Sequence, residues 1–259
     1  MEAPSHSIAV VIPTLNEVLA LPKTVRRLYQ SANNPDSIAV VIVDASPDEA
    51  PTRACLSPSL STDPSLHLVH YSGQPSRGLQ MNFGAAHASN IAPETSVLLF
   101  LHADTLLPPS WDTTVLDALY RSPNPPLLGC FKLALPPPLS LSLRIMLWCA
   151  NKRAELGNLP YGDQCYFITR RGFQQVGGFP PVPIMEDVGL LRRVSQHGGL
   201  IRVVDVCVET SKRRWERNGV IWNTILNQFF MTAWLCGTPP DIIYRWYYGP
   251  RMLNTKKRD

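Results

Sequence analysis

Short apolar runs rich in β-branched residues alternate with stretches of helical spacing, and this alternation restricts the possible folds more than any other feature. Residues 8–12, 38–43 and 97–101 are continuously apolar, and residues 67–71 form a shorter run of the same kind. Runs without polar alternation suit strands of a parallel sheet that is covered on both faces. Between them, Leu21, Val25 and Leu28 recur at helical spacing, as do Leu79, Phe83 and Ala86. Strand and helix alternate to about residue 120. This predicts an α/β fold with an open, mostly parallel sheet, flanking helices and right-handed crossovers.

The second half is less regular. Residues 128–133, 164–169 and 200–208 read as strands, and residues 139–154 and 187–196 as helices. Residues 220–235 have helical length and are largely apolar, with Asn223, Asn227 and Gln228 among them. They fall short of the ~20 residues that span a bilayer. A helix packed on the core is expected there ahead of one lying on a membrane surface. Proline is abundant at 25 residues, but it clusters between periodic segments, where it marks loops. With no repeat and no clear linker, 1–259 reads as one domain: a ligand-binding half at about 8–120, a second half at about 121–217, and a C-terminal helical segment at about 218–250.

Composition excludes several classes. The chain is 45% hydrophobic and 17% charged, enough apolar material for a full core. Its net charge of +4 suits an anionic ligand, and no basic stripe with interleaved aromatics argues for nucleic acid. Six cysteines lack metal-ligand spacing, and no secretory signal opens the chain. Free thiols in a reducing, cytoplasmic setting are expected.

In open parallel sheets, ligands sit beyond the carboxyl ends of the strands. Pro13-Thr14-Leu15-Asn16-Glu17, Asp44-Ala45-Ser46, residues 72–77 and His102-Ala103-Asp104 all fall at that edge. Asp104 offers a hard oxygen ligand for a divalent cation completed by diphosphate oxygens; a loop or cap carboxylate is the alternative. His102 lies two residues earlier, on the same side of extended backbone, as a metal ligand, a phosphate contact or a filler. Glu186-Asp187 starts a helix, where acids are favourable for dipole reasons alone. Its functional reading is a general base for an acceptor hydroxyl. Arg213-Arg214-Trp215 could neutralise a diphosphate and wall a sugar site, or form a solvated basic turn. Arg77 could reach phosphate or base. Tyr161, Asp163 and Gln164 could contact acceptor or sugar hydroxyls, or belong to a turn at Gly162.

Taken in order, these segments resemble glycosyltransferase family two with the GT-A fold, over about residues 8–217. Val11-Ile12-Pro13-Thr14-Leu15-Asn16-Glu17 is similar to the opening motif, and Val43-Asp44-Ala45-Ser46 to the second, whose first aspartate contacts the nucleotide base. Arg77-Gly78 through Asn82-Phe83-Gly84 resembles the segment along the nucleotide. His102-Ala103-Asp104 stands at the Asp-x-Asp metal motif. Gly177-Gly178-Phe179 with Glu186-Asp187 resembles the acceptor loop and base, and Arg214-Trp215 the end of a later motif. The series Leu159-Pro160-Tyr161-Gly162-Asp163-Gln164, Met185-Glu186-Asp187 and Arg213-Arg214-Trp215-Glu216 is similar to a small subgroup named for arsenosugar biosynthesis. Ala45 and His102 depart from the pattern, each replacing an aspartate.

The resemblance implies inverting transfer from a nucleotide-diphosphate sugar to a hydroxyl acceptor, with lipid-linked acceptors among the candidates. Pro13, Asn16, Glu17 and Asp44 would hold base and ribose, Asn82 would lie along the nucleotide, and a Mn or Mg ion would sit at Asp104. Two rivals are a non-catalytic nucleotide-sugar binder and a sugar-phosphate nucleotidyltransferase. The latter would carry a glycine-rich basic loop after the first strand. Peripheral membrane contact is the reading left open for the aromatic-rich C-terminal segment.

Overall fold

The structure is a computed structural model and describes residues 7–56, 63–73 and 76–249. Gln74 and Pro75, within the loop expected at residues 72–77, lie outside it. Eight strands form one sheet: β1 (Ser7–Thr14), β2 (Ile38–Asp44), β3 (Leu66–His70), β4 (Thr95–Phe100), β5 (Thr105–Leu106), β6 (Leu128–Ala134), β7 (Tyr166–Thr169) and β8 (Ile201–Thr210). Ten α-helices are described: α1 (Leu21–Gln30), α2 (Ala50–Cys55), α3 (Arg77–Ile91), α4 (Trp111–Leu116), α5 (Leu141–Gly157), α6 (Arg170–Gln175), α7 (Glu186–Gln196), α8 (Arg213–Asn218), α9 (Val220–Leu235) and α10 (Pro240–Tyr248).

The strand order is β3-β2-β1-β4-β7-β6-β8-β5. β1 pairs in parallel with β2 and β4, and β2 with β3, as the alternation predicts. Beyond β4 the sheet is mixed. β7 runs antiparallel to both β4 and β6, β8 parallel to β6, and β5 antiparallel to β8. The short apolar run of β7 carries no signal of direction, so sequence pattern alone could not place this reversal.

The continuous apolar runs reflect a sheet covered on both faces. Ile8, Val10 and Ile12 face one core with Leu21, Val25 and Leu28 of α1 and with Trp111. Ala9 and Val11 face the other, with Met81 and Ala85 of α3 and Leu190 of α7. Successive strand residues point to opposite faces, so both phases of the run must be apolar. The expected face of α3 is corrected. Phe83 and Ala86 are exposed, and Gly78, Met81, Gly84, Ala85 and Ala88 are buried. A Cβ on Gly84 would lie 2.4 Å from Val11 Cγ1 and 2.8 Å from Val43 Cγ2. At Gly84 the helix approaches the sheet so closely that a side chain would clash, and Phe83 turns outward.

α9 also differs from expectation. It buries only Asn223, Phe230 and Met231, and much of its apolar surface faces outward. Among the described residues, no helix is long and apolar enough to cross a membrane.

Candidate active site

β1 and β2 end in register, with Thr14 opposite Asp44. Asp44 is fully buried. Its Oδ1 accepts from Thr14 Oγ1 (3.1 Å), Ser46 N (3.1 Å) and Ser46 Oγ (2.6 Å). Its Oδ2 is buried with no partner. A buried acceptor left unpaired is costly unless a ligand completes it. Asn16, in the left-handed region (φ 57°), donates its N–H to Ser46 Oγ at 2.9 Å, tying the loop after β1, which holds Glu17 and follows Pro13, to the one that follows Asp44. Behind both, the buried Gln80 of α3 donates to the carbonyls of Thr14 (3.0 Å) and Val43 (3.1 Å).

Asp104 follows β4. Arg213 Nη2, at the start of α8, donates to Asp104 Oδ2 (3.2 Å) and Glu17 Oε2 (3.1 Å). Two carboxylates therefore converge on one guanidinium. His102 turns elsewhere: its Nε2 lies 3.3 Å from Arg77 Nη1. Burial, reinforced by the Arg77 charge, pushes its pKa down to about 3, so the ring is neutral and Nε2 can accept from Arg77.

Glu186 and Asp187 open α7, after Met185 in the left-handed region (φ 66°). Glu186 is buried, and its Oε1 lies 2.5 Å from Arg77 Nε. Asp187 Oδ2 accepts the N–H of Gly162 (3.0 Å), and its Oδ1 accepts the N–H of Val188 (2.8 Å). Burial and then the neighbouring Glu186 raise the Asp187 pKa, while Arg77 and the two backbone donors oppose them. A Cβ on Gly162 would lie 3.4 Å from Asp187 Cβ and 3.5 Å from His102 Nε2. His102, Gly162 and Asp187 therefore meet. Asp104, two residues from His102, shares their edge of the sheet.

Asp163 is half-buried, and burial pushes its pKa up to about 6, with Arg153 opposing and Asp187 adding. The Tyr161 ring lies under the Arg153 guanidinium, 3.4 Å from centroid to Cζ. Gln164 is spent on structure: Nε2 donates to the Phe131 carbonyl (2.9 Å), and Oε1 accepts the Tyr161 N–H (3.2 Å).

Three expected nucleotide contacts are engaged elsewhere. Arg77 holds Glu186. Asn82 is paired both ways with the Phe179 backbone, at 2.9 Å each. Arg214 donates to Asn223 and Asn227 of α9, at 3.0 Å each, and lies 5.1 Å from the Tyr247 ring centroid. Trp215 is half-buried beside it on α8. Sequence reasoning missed Gln80, and it named Thr14, Ser46 and Gly162 within motifs without giving them a role of their own. The Tyr248 hydroxyl pKa is raised mainly by burial and then by Tyr247, with Arg77 opposing and Glu186 adding. A glutamine three residues into a helix after a strand–loop edge was the one available hint of Gln80.

A family model described as glycosyl transferase family 2 matches residues 9–173. A search of curated proteins found no match. Among solved structures, the chain is similar to the mannosyltransferase PcManGT from Pyrobaculum calidifontis in complex with GDP-Man and Mn2+. The TM-score is 0.60 at 19% identity, covering 95% of this chain and 70% of that one. It is also similar to S. aureus TarS 1-349, with a TM-score of 0.57 at 15% identity, covering 80% of this chain and 60% of that one. GalNAc-T7 with UDP, GalNAc and Mn2+ gives a TM-score of 0.61 at 14% identity, covering 80% of this chain and 44% of that one. The chain thus spans less than two thirds of the latter two. Likeness at these identities speaks to the fold, an α/β sheet of the GT-A kind flanked by helices.

Proposed function

Because the chain belongs to glycosyl transferase family 2, we propose that it is an inverting, hexosyltransferase-like enzyme acting as one domain. It moves a sugar from a nucleotide-diphosphate donor to a hydroxyl acceptor. The observation that carries this reading is the meeting of Asp187 and His102 across Gly162, with Asp104 following His102 two residues on. Asp44 would offer its unpartnered Oδ2 to the base or ribose, with Pro13 and Asn16 beside it. The solved GDP-Man and UDP-GlcNAc complexes of similar structures support a donor of this class.

Asp104 and Glu17 fit a hard divalent cation, Mn or Mg, better than the expected pair of Asp104 and His102, because the His102 ring is turned to Arg77. Among the described residues, no three His, Cys, Asp or Glu side chains form a metal cage, so donor oxygens would have to complete the coordination. When bound, such an ion supplies charge neutralisation at the departing diphosphate. Arg213 is positioned to do the same from the protein side.

Asp187 takes the acceptor hydroxyl proton as the acceptor oxygen attacks the anomeric carbon. The bond from that carbon to the diphosphate oxygen breaks, and the nucleotide diphosphate leaves with the bonding pair. The Gly162 and Val188 N–H groups fix the carboxylate's orientation. Its raised pKa brings it nearer to a proton acceptor's working range. Tyr161 and Asp163 border the acceptor side.

The arsenosugar-named subgroup remains a reading of the motif series alone. A reducing, cytoplasmic setting is part of the same proposal. A panel of nucleotide sugars, with and without manganese, tests the reading by thermal shift and by transfer or donor hydrolysis. A donor that binds the folded state raises Tm with its concentration. Binding with no turnover by any donor would favour the non-catalytic binder.

A further inference from the structure

Large exposed apolar side chains are concentrated on three neighbouring helices. α9 packs against α5 on one side and α10 on the other. Ile145 and Trp148 of α5, Trp222, Ile225 and Phe229 of α9, and Trp246 of α10 are each more than half exposed. On α5 and α9 they recur at three and four residues, so each helix presents a single outward stripe. The Phe229 and Trp246 rings lie 5.8 Å apart, joining the stripes of α9 and α10. α9 contains no charged residue at all, and its buried side holds Asn223. Such a helix is inverted relative to one packed on a core. Exposed apolar residues elsewhere stand singly, as ordinary surfaces allow, whereas a contiguous patch marks a binding face.

We propose that α5, α9 and α10 seat on the surface of an anionic lipid bilayer. Charge chooses this occupant. Residues 211–259 hold nine Lys or Arg against three Asp or Glu, whereas residues 1–210 hold fifteen against seventeen. In sequence, the excess positive charge of the chain thus falls in the segment that contains α9 and α10, as attraction to acidic headgroups requires. A second copy docked through a twofold axis would bring like charge against like charge. Three of the six tryptophans, Trp148, Trp222 and Trp246, stand at this face, a residue favoured where hydrocarbon meets headgroup. The helices are too short and too few of their faces apolar for spanning.

The face is also joined to the site. Arg214 anchors α9 through Asn223 and Asn227, and Arg213, next in sequence, holds Asp104 and Glu17. Resting on the transferase reading above, this link assigns the acceptor to the lipid phase: a hydroxyl carried by an amphiphile is presented where the protein meets the bilayer.

The test uses the full chain with neutral phosphatidylcholine vesicles and with vesicles containing a quarter phosphatidylglycerol. Tryptophan quenching by brominated lipid and co-sedimentation are the readouts. Binding to the anionic vesicles should be at least about tenfold tighter, given the basic residues near the face. Ile225→Glu with Phe229→Glu keeps every tryptophan. It should lower binding and quenching about tenfold while leaving Tm and donor hydrolysis in solution unchanged. Absence of vesicle binding, or equal quenching in the variant, overturns the proposal. So does a dimer in analytical ultracentrifugation that the variant dissociates, without vesicle binding by the wild type. Intact donor turnover with no vesicle binding would remove this inference alone. Vesicle binding without turnover of any donor would remove the transferase reading and keep the lipid face.

Discussion

The groups around Asp44 are held by hydrogen bonds from uncharged partners in a dry setting, whereas those around Asp104 and Glu186 are held by ion pairs. Asp44 is fixed by Thr14 and Ser46, and Gln80 ties the two strand ends together. At the second region, Glu186 answers Arg77, and Arg213 answers Asp104 and Glu17. A hydrogen-bonded socket fixes shape and changes little with salt or pH. A set of ion pairs is adjustable, and under the proposed function it is where protons and departing charge would be handled.

The sharpest test of this division is Asp187→Asn. Transfer should fall ~10²–10⁴-fold, with donor affinity nearly unchanged, as measured by kcat beside nucleotide titration. A matching loss of donor affinity would merge the two regions. The pH profile sharpens the same point. Asp187 must be ionised to act, and its pKa is raised, so kcat/KM should climb as pH rises through a value above the ordinary aspartate range. Asp187→Glu should shift that limb.

Next in size is Arg77→Met. It strands the buried Glu186 and should cost about 3 kcal/mol in denaturant melts, the low end for a buried pair because Arg77 itself is reached by water. Gln80→Leu removes the donor to two buried carbonyls and should cost about 1–3 kcal/mol. It should also raise the donor KM, and leave the low-pH limb of the rate profile in place. If that limb moved instead, the two sides would not be independent.

The smallest expected effect is Asp163→Asn. The folded pKa of about 6 exceeds the unbound value of 3.8, so the folded state holds the proton more tightly, and stability declines as pH rises from about 4 to 6. The amide should therefore raise Tm by roughly 2–4 °C at pH 7.5. The difference should vanish below about pH 4, where both states carry the proton.

What the sequence revealed follows the same division. The runs at β1, β2 and β4 are apolar in both phases because helices cover both faces, so the parallel core was plain to read. Asp104 and Asp187 stood out as candidates because a carboxylate after a strand and one at a helix start are local features. The rest depended on contacts between distant segments. Asn82 looked like a ligand residue, yet its amide pairs with Phe179, 97 residues away. α3 misled in another way. Hydrophobicity ranked Phe83 above Gly84, but the distance between helix and sheet favoured the residue without a side chain. β7 carries an apolar run with no mark of direction, and its reversal follows from where the chain returns, not from the run itself.

Gln80 has a further consequence for the timing of encounter. By stitching together the ends of two strands, its amide keeps the proposed nucleotide socket assembled before any ligand arrives. A socket that need not order itself on arrival makes association a matter of diffusion and orientation, so affinity differences among candidate nucleotides should appear chiefly as differences in residence time.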